Sequence, residues 1–179
     1  MIINPKIAIE RGWIVGNFTE DNIQPNGIDF TIDDLYELDP LQSTFELSVD
    51  GKTHATWVKK STLDFYHKSD AARSDSWHLL PNSMYDFQSN FRVVLPETGV
   101  SALLIARSTL NRNGLFITSG WYDSNFEGQI SGMLRTSSVS ATIARGSRIG
   151  QIIFMESEAA KAYNGQYQGN AGHWTEALN

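Results

Sequence analysis

The chain has 179 residues, a formal net charge of −6 and no cysteine. This length suits one domain with its own core, so we predict a single domain over residues 1–179. The acidic balance argues against binding along a nucleic-acid backbone, and the lack of cysteine excludes disulfides and thiolate metal sites. No run approaches the roughly 20 apolar residues of a membrane span, and residues 1–6 lack the layout of a signal peptide. We therefore expect a cytoplasmic protein, in the host cytoplasm if the source is viral, with no nucleic-acid or membrane partner.

The N-terminal segment, residues 1–22, is predicted to be helical. Apolar and charged residues recur with helical spacing over residues 5–16, which predicts a short amphipathic helix. Gly12 and Gly16 weaken this prediction, because glycine destabilises a helix by roughly 1 kcal/mol relative to alanine.

Residues 23–155 show mostly β patterns. The segments 45–49 and 53–58 flank Asp50-Gly51, which is a favoured hairpin turn. Residues 60–78 are polar and lack periodicity, so a loop is predicted there. Further strands are predicted at 85–95, 100–106, 115–118, 129–136, 140–143 and 149–155. Many short strands with few helices predict an all-β fold, either a sandwich or a barrel.

The C-terminal tail, residues 156–179, differs from the rest of the chain. Residues 156–161 are compatible with one or two helical turns, and residues 163–172 are polar and rich in glycine. Such a sequence rarely packs in a core, so we predict either a loose end or a lid that closes over a ligand.

One segment directly after a predicted strand carries groups suited to an anion. Ser108 or Thr109 is placed to cap a short helix, and Gly114 is placed to end it. Backbone N–H groups at the helix start, together with Arg107 and Arg112, favour binding of phosphate oxygens. The alternative is a capped surface turn with solvated arginines.

Three other polar residues are candidates for a site. Asp123 lies on a turn between two β-prone runs, where a carboxylate can orient a water; the alternative is an ordinary hairpin with a solvated acid. Gln151 interrupts an apolar strand and needs a polar partner, either a backbone group or a ligand. Asp29 lies in a turn that leads into a strand, and we interpret it as binding local backbone groups.

Four stretches occur in an order that resembles the family of trimeric dUTP pyrophosphatases and dCTP deaminases. They are residues 23–29, Arg107-Ser108-Thr109-Leu110-Asn111-Arg112, Gly120-Trp121-Tyr122-Asp123 with Phe126-Glu127-Gly128, and Gly146-Ser147-Arg148-Ile149-Gly150-Gln151. Residues 163–168 are similar to the Tyr-rich tail of the deaminase-like branch, so the resemblance extends over nearly the whole chain. It implies a distorted, jelly-roll-like β-barrel of dUTPase type with a few short helices. It also implies a homotrimer whose sites lie between subunits and are closed by the tail.

The resemblance further implies which chemistry this chain performs. In the deaminases of the family, a glutamate ten positions after the hairpin aspartate activates water at cytosine. That position is Met133 here, and a thioether transfers no proton at neutral pH. Hydrolysis of a triphosphate requires a carboxylate that holds a water, which makes Asp123 the implied catalytic residue. The implied substrate-binding residues are Arg107, Ser108, Thr109, Arg112, Phe126, Ser131, Gln151, Tyr163, Tyr167 and Gln168.

We therefore predict an enzyme that hydrolyses dUTP to dUMP and pyrophosphate, and a pyrimidine deoxynucleoside triphosphate as its ligand. In this reading, Phe126 packs against the deoxyribose. Mg²⁺ is the predicted cofactor, held mainly by substrate phosphates and water, with no metal site built from protein ligands alone. Two alternatives stay open: a dCTP deaminase or related pyrimidine deoxynucleotide hydrolase, and a non-catalytic nucleotide-binding regulator on the same fold.

Overall fold

The computed structural model describes residues 1–38, 46–48, 51–53, 57–59, 75–165 and 167–169. The described helices are α1 (Pro5–Glu10), a 3-10 turn (Glu20–Asn22) and α2 (Ser108–Arg112). The described strands are β1 (Ile14–Gly16), β2 (Ile23–Gln24), β3 (Gly27–Leu38), β4 (Glu46–Ser48), β5 (Gly51–Thr53), β6 (Trp57–Lys59), β7 (Ser76–Leu79), β8 (Met84–Val94), β9 (Gly99–Ala106), β10 (Leu115–Ile117), β11 (Gly120–Tyr122), β12 (Glu127–Thr136), β13 (Ala141–Ala144) and β14 (Arg148–Ser157). None of the described helices is long and apolar enough to cross a membrane.

Ten of the described strands form one curled sheet. Its order is β10-β12-β8-β3-β14-β9-β11, and β1, β2 and β6 join it at β8 or β3. The long strand β3 links the two halves, because its beginning pairs with β14 and its residues from Ile32 onward pair with β8. Smaller pairs are formed by β7 with β13 and by β4 with β5. This mostly β half-barrel confirms the predicted all-β, dUTPase-like fold class.

One face of the curled sheet packs into the hydrophobic core. Along β8, the side chains of Tyr85, Phe87, Phe91 and Val93 are almost completely buried, with less buried residues between most of them. Phe87 stacks on Phe30 of β3, with ring centroids 5.7 Å apart. Burying side chains of this size contributes roughly 2–3 kcal/mol each, so the alternation that predicts the strand also decides which face is buried.

Six predicted strands are confirmed to within two residues at either end: β8, β9, β10, β12, β13 and β14. The predicted hairpin is confirmed where it is described, since β4 pairs with β5 and Ser48 lies opposite Gly51. The described ends of the predicted strand over 53–58 have different partners, since Thr53 pairs with Glu46 of β4 and β6 pairs with β3. Residues 45, 49–50 and 54–56 lie outside the described residues.

The predicted helix over residues 5–16 is too long. Helix α1 ends at Glu10, and Gly12 follows with a φ of +70°, a left-handed conformation that glycine adopts readily. The apolar residues beyond it belong to β1, where Ile14 is buried opposite Val93 of β8. The helical spacing of apolar residues therefore continues by coincidence beyond the end of α1 into residues that form a strand.

The structure differs from two further predictions, the loop over 60–78 and the helical turns at 156–161. The loop predicted over 60–78 gives way to β7, which pairs with β13 and buries Trp77; residues 60–74 lie outside the described residues. The helical turns predicted at 156–161 are absent from that described stretch. There β14 continues to Ser157, because its last two residues pair with Gly99 and Val100 of β9.

Candidate functional site

A buried carboxylate lies at the centre of the first group of polar residues. Asp29 on β3 is 1% exposed and lies directly opposite Gln151 of β14. Gln151 Nε2 donates to Asp29 Oδ1 at 3.0 Å. Asp29 Oδ2 lies 3.5 Å from Arg107 Nε and 3.6 Å from Arg148 Nη1. We call Asp29, Arg107, Arg148 and Gln151 the arginine cluster.

The arginine cluster presents positive charge to solvent. A buried carboxylate is stabilised only when charged or polar partners surround it, and here the partners are two guanidinium groups and an amide. Arg107 and Arg148 each remain about one-third exposed, at 35% and 34%. Two guanidinium groups against one carboxylate leave a net positive charge, and their planar donors suit phosphate oxygens.

The interpretation of Asp29 as a residue that binds local backbone groups is wrong. Its side chain pairs with residues more than seventy positions away, and the partner of Gln151 is this carboxylate, which is neither a backbone group nor a ligand. Asp29 and Arg148 are the members of the cluster that sequence reasoning did not assign to a site. Both lie in stretches that carry the family resemblance, but it is the pairing of β3 with β14 that brings them together.

Strand β14 packs closely against β3 and β9 at Gly150. A Cβ on Gly150 would lie 2.2 Å from the Cζ atom of Phe30 and 2.9 Å from the carbonyl oxygen of Ile105. Neither atom can give way easily, since one belongs to a buried ring and the other to the backbone of β9. Gly150 therefore permits the packing that places its neighbour Gln151 beside Asp29.

Helix α2 follows β9 and carries the remaining predicted phosphate-binding residues. It begins at Ser108, with Arg107 as its N-cap residue and no capping hydrogen bond from a side chain. The predicted cap by Ser108 or Thr109 is therefore wrong, whereas Gly114 follows the helix end with a φ of +77°, as predicted. Ser108, Thr109 and Arg112 are exposed next to the arginine cluster without joining its ion pairs.

Asp123 belongs to a second group, at the turn between β11 and β12. A hydrogen bond fixes the turn to strand β9, since the buried Ser124 Oγ donates to the carbonyl oxygen of Val100 at 2.7 Å. Phe126 N donates to the carbonyl oxygen of Asp123 at 3.0 Å and closes the turn. The Asp123 side chain is exposed, and it forms no ion pair with any residue that the structure describes. A rigid turn thus presents a carboxylate to solvent.

Two predicted substrate-binding residues contact aromatic side chains, Phe126 through its ring and Ser131 through its backbone. Phe126 is 8% exposed, with ring centroids 5.0 Å from Tyr122 and 5.5 Å from Tyr163. The Tyr122 hydroxyl donates to the carbonyl oxygen of Ser131 and accepts from its N–H, both at 3.3 Å. Burial raises the pKa of the Tyr122 hydroxyl, the Ser131 hydrogen bond lowers it, and Asp86 raises it, so the phenol stays protonated at neutral pH. Contact between Phe126 and a sugar requires Tyr163 to move.

The described part of the tail lies along the hairpin that carries Asp123. Tyr163 N donates to Ser124 O at 2.8 Å, and Asn125 Nδ2 donates to Tyr163 O at 2.9 Å. Gln168 is bound at both atoms of its amide, because Nε2 donates to Asn125 O at 2.7 Å and Oε1 accepts from Glu127 N at 3.2 Å. The tail therefore contacts the backbone of its own chain's hairpin.

The expectation of a loose end is wrong for residues 163–165 and 167–169. Tyr163 and Tyr167 pack against the hydrophobic core, and Tyr167 N donates to the Tyr163 hydroxyl at 3.3 Å. The two tyrosine rings make apolar contacts with the core that the glycines and polar residues between them cannot make. Whether the tail also acts as a lid stays a prediction.

A cavity of about 680 Å³ opens beside Asp123. It is lined by Asp123, Ala159, Ala160, Lys161, Ala162, Tyr163, Asn164 and Gly165. This volume falls in the usual range for small-molecule sites. The cavity is thus large enough for part or all of a nucleotide, next to an exposed carboxylate.

The cavity and the arginine cluster lie far apart within one chain. Tyr122 pairs with Ala102 of β9, which puts Asp123 level with Ser101, whereas Arg107 follows the other end of that strand. Six residues of strand separate the two levels, or roughly 20 Å at about 3.3 Å per residue. The structure therefore does not bring Asp123 and Arg107 of one chain together around one phosphate group.

Met133 has an acidic neighbour on the adjacent strand. It lies directly opposite Asp86 of β8, and opposite residues project from the same face of a sheet. Asp86 is 8% exposed, and burial raises its pKa to about 7. Sequence reasoning missed this carboxyl group, because only the register of β8 against β12 places it there.

The described residues offer limited protein ligands for a metal ion. No group of three or more His, Cys, Asp or Glu residues among them is placed to hold one. Asp123 is the carboxylate that lines the cavity. This donor set fits a Mg²⁺ ion held mainly by phosphate oxygens and water, which is how Mg²⁺ is usually bound beside triphosphates.

Comparison with known proteins agrees with the fold and with the resemblance to the deaminase family. The profile of the dCTP deaminase-like family matches residues 4–157. A dCTP deaminase of Acidianus ambivalens is 31% identical over 170 residues, which are 93% of this chain and 90% of that protein. A probable deoxyuridine 5'-triphosphate nucleotidohydrolase of Halobacterium salinarum is 28% identical over 163 residues, which are 89% of this chain and 93% of that protein.

A solved structure supports the same fold. The 2'-deoxycytidine 5'-triphosphate deaminase of Agrobacterium tumefaciens superposes with a TM-score of 0.61 at 16% identity. The superposition covers 86% of this chain and 47% of that one, so this chain spans about half of that protein's length. With the profile matching most of its residues, the chain belongs to the dCTP deaminase-like family.

Proposed function

We propose that this protein hydrolyses dUTP to dUMP and pyrophosphate. The observation that carries the proposal is Asp123, an exposed carboxylate on an anchored turn beside a cavity of about 680 Å³. Its exposure leaves it able to bind water, and the cavity can receive a nucleotide. The absence of an acid at position 133 favours hydrolysis over deamination, since the side chain of Met133 cannot transfer a proton.

The reaction needs one proton acceptor and one leaving group. Asp123 holds a water in line with the α-phosphorus and takes a proton from it as the new P–O bond forms. The bond between the α-phosphorus and the bridging oxygen breaks, and pyrophosphate leaves with that oxygen. The triphosphate would carry Mg²⁺, which would supply countercharge for the leaving group.

We propose that the site is shared between subunits of a homotrimer. One chain contributes Asp123 and the cavity, and another contributes Arg107, Gln151 and the exposed donors of α2. The separation of roughly 20 Å along β9 supports this arrangement, because the span from the α- to the γ-phosphorus is much shorter. Phe126 would contact the deoxyribose after Tyr163 moves aside and would leave no space for a 2′-hydroxyl.

Product analysis with dUTP, dCTP and dTTP in the presence of Mg²⁺ tests the proposal. We expect pyrophosphate release from dUTP. Asp123→Asn should lower turnover by about a thousandfold and leave nucleotide affinity within about threefold, because charge changes but volume does not. Glu97→Gln, at an exposed acid in the turn before β9, is the matched control and should behave as the wild type. Undiminished turnover by Asp123→Asn would remove this residue from the mechanism, and binding without any turnover would favour a regulator.

A second candidate function is deamination of dCTP, favoured by the carboxyl group of Asp86 opposite Met133. In this reaction, Asp86 would take one proton from water as its oxygen attacks C4 and pass it to N3. It would then move the remaining hydroxyl proton to the amino group, which leaves as ammonia while the C4 carbonyl forms. A group with a pKa of about 7 is suited to both steps. Ammonia release from dCTP that is lost in Asp86→Asn would select this candidate, whereas pyrophosphate release without ammonia would reject it.

A further inference from the structure

The cavity beside Asp123 contains a cation that the proposed mechanism does not use. Lys161 lines the cavity and is exposed, and within the described residues it forms no ion pair. Most of the other lining residues are alanines or glycine, with one phenol and one amide. Asp123 and Lys161 are therefore the two charged side chains of this lining.

The contacts of Tyr163 determine where Lys161 lies. Tyr163 N donates to Ser124 O at 2.8 Å, and the Tyr163 ring packs against Phe126 at 5.5 Å between centroids. Lys161 precedes Tyr163 by two residues, and Ser124 directly follows Asp123. The same contacts therefore hold the backbone of Lys161 next to the turn that carries the carboxylate. Its place in the cavity is a consequence of tail docking.

A cation beside Asp123 on the same chain would assist binding of an anionic substrate, in addition to the charge that Mg²⁺ and the other subunit would supply. A carboxylate that holds a water against a phosphate group repels that group unless positive charge lies nearby. The positive charge of Arg92 on β8 is already paired, because its Nη2 lies 2.5 Å from Glu127 Oε1. Arg107 and Arg148 are bound to Asp29, and Arg107 lies at the opposite end of β9.

We propose that Lys161 binds the α-phosphate oxygens of a nucleotide in the Asp123 cavity. A lysine ammonium offers three donors on a flexible stem and is well suited to a single phosphate group. One chain would then supply both the carboxylate that holds the attacking water and the cation that neutralises the phosphate under attack. This inference rests on the proposed function and adds to it a group that binds the α-phosphate.

Binding of dUMP and of deoxyuridine, measured by calorimetry, tests Lys161 without requiring turnover. Lys161→Gln should weaken dUMP binding by about tenfold or more and leave deoxyuridine binding unchanged, because only dUMP carries the phosphate. Lys161→Arg keeps the charge and should restore most of the affinity. Lys6→Gln, at an exposed lysine on α1, is the control for the change in net charge and should bind both ligands as the wild type does.

The outcomes separate this inference from the proposed function. Unchanged dUMP binding by Lys161→Gln, while the wild type hydrolyses dUTP, overturns the role of Lys161 and leaves the hydrolase proposal standing. Equal weakening of dUMP and deoxyuridine also overturns it, since that result indicates a role in tail packing. Lys161-dependent dUMP binding without dUTP hydrolysis supports the inference and rejects the hydrolase. A wild type that binds dUMP no more tightly than deoxyuridine overturns the role of Lys161, whereas pyrophosphate release from dUTP decides the hydrolase proposal.

Discussion

Three aspartates illustrate how surroundings decide what a carboxyl group can do. Asp29 is buried between two arginines and organises them, while Asp123 is exposed at a turn and has no ion-pair partner in the part of the chain that the structure describes. Asp86 is buried on the sheet between Tyr36 and Met133, its opposite neighbours on β3 and β12. The same side chain therefore serves as a positioning residue, as the proposed water-binding residue and as a group with a raised pKa.

The raised pKa of Asp86 predicts how stability depends on pH. Between about pH 4 and pH 7 the unfolded chain loses the Asp86 proton and the folded chain keeps it. This group therefore lowers the free energy of unfolding as pH rises through that window, with no effect below it and a constant effect above it. Asp86→Asn removes the group. It should be more stable than the wild type at pH 8, by on the order of 2–4 kcal/mol, and about equally stable at pH 4.

Urea denaturation of both proteins across this pH range measures the difference. Other titrating groups contribute equally to both proteins, so the difference isolates Asp86. A stability difference that stays constant from pH 4 to pH 8, or that turns against the variant as pH rises, would show that the folded protein does not disfavour the charged form of Asp86, contrary to this prediction.

At the scale of elements, the hairpin and the tail form one unit. The tail binds backbone groups of the hairpin through Tyr163 and Gln168, and Phe126 lies beneath the Tyr163 ring. These contacts cover the hairpin and complete the cavity, but the tail adds no strand to the curled sheet within the described residues. Tail docking should therefore matter more for the site than for the fold.

Removal of residues 162–179 tests this relation while keeping Lys161. We expect kcat/KM for dUTP to fall by at least about tenfold, because the cavity loses half of its lining residues and Phe126 loses the Tyr163 ring that covers it. The melting temperature should fall by only a few degrees, since the core strands are untouched. Gln168→Ala should show the same trend to a smaller degree. Equal turnover with and without the tail would show that it is not a lid.

At the scale of the whole molecule, the two polar groups lie at opposite ends of β9. The arginine cluster follows Ala106, and the Asp123 turn lies beside Ser101 and Val100. A strand is rigid along its length, so no side-chain motion brings the two groups of one chain together. Assembly of several copies is the remaining way to unite them, which supports the proposed trimer.

Mixed oligomers test whether the site is shared. Asp123→Asn and Arg107→Ala should each be inactive alone, because each lacks one half of every site. When equal amounts are unfolded together and reassembled, about one quarter of the interfaces join two intact halves, so about one quarter of the wild-type activity should return. A mixture of Asp123→Asn with Asp123→Ala is the control and should stay inactive. No recovery in the first mixture would place both groups of the site within one chain.

Much of the fold and half of the candidate site could be predicted from local patterns. Alternation of apolar residues reports which side of a strand is buried, so β8, β9, β12 and β14 were recognisable without their partners. The turn that exposes Asp123 was recognisable for the same reason, because turn residues act through their immediate neighbours. The error at residues 5–16 shows the limit of such patterns, since pairing with β8 overrode a helical spacing beyond Gly12.

Contacts between distant segments could not be predicted in this way. The ion pairs of Asp29 and the carboxyl group opposite Met133 both depend on which strands pair and in which register. Register is decided by how the whole core packs, and a shift of one residue would turn each of these side chains to the other face. Local sequence therefore determines the strands and the exposed acid. Packing of the complete chain decides which charges surround them.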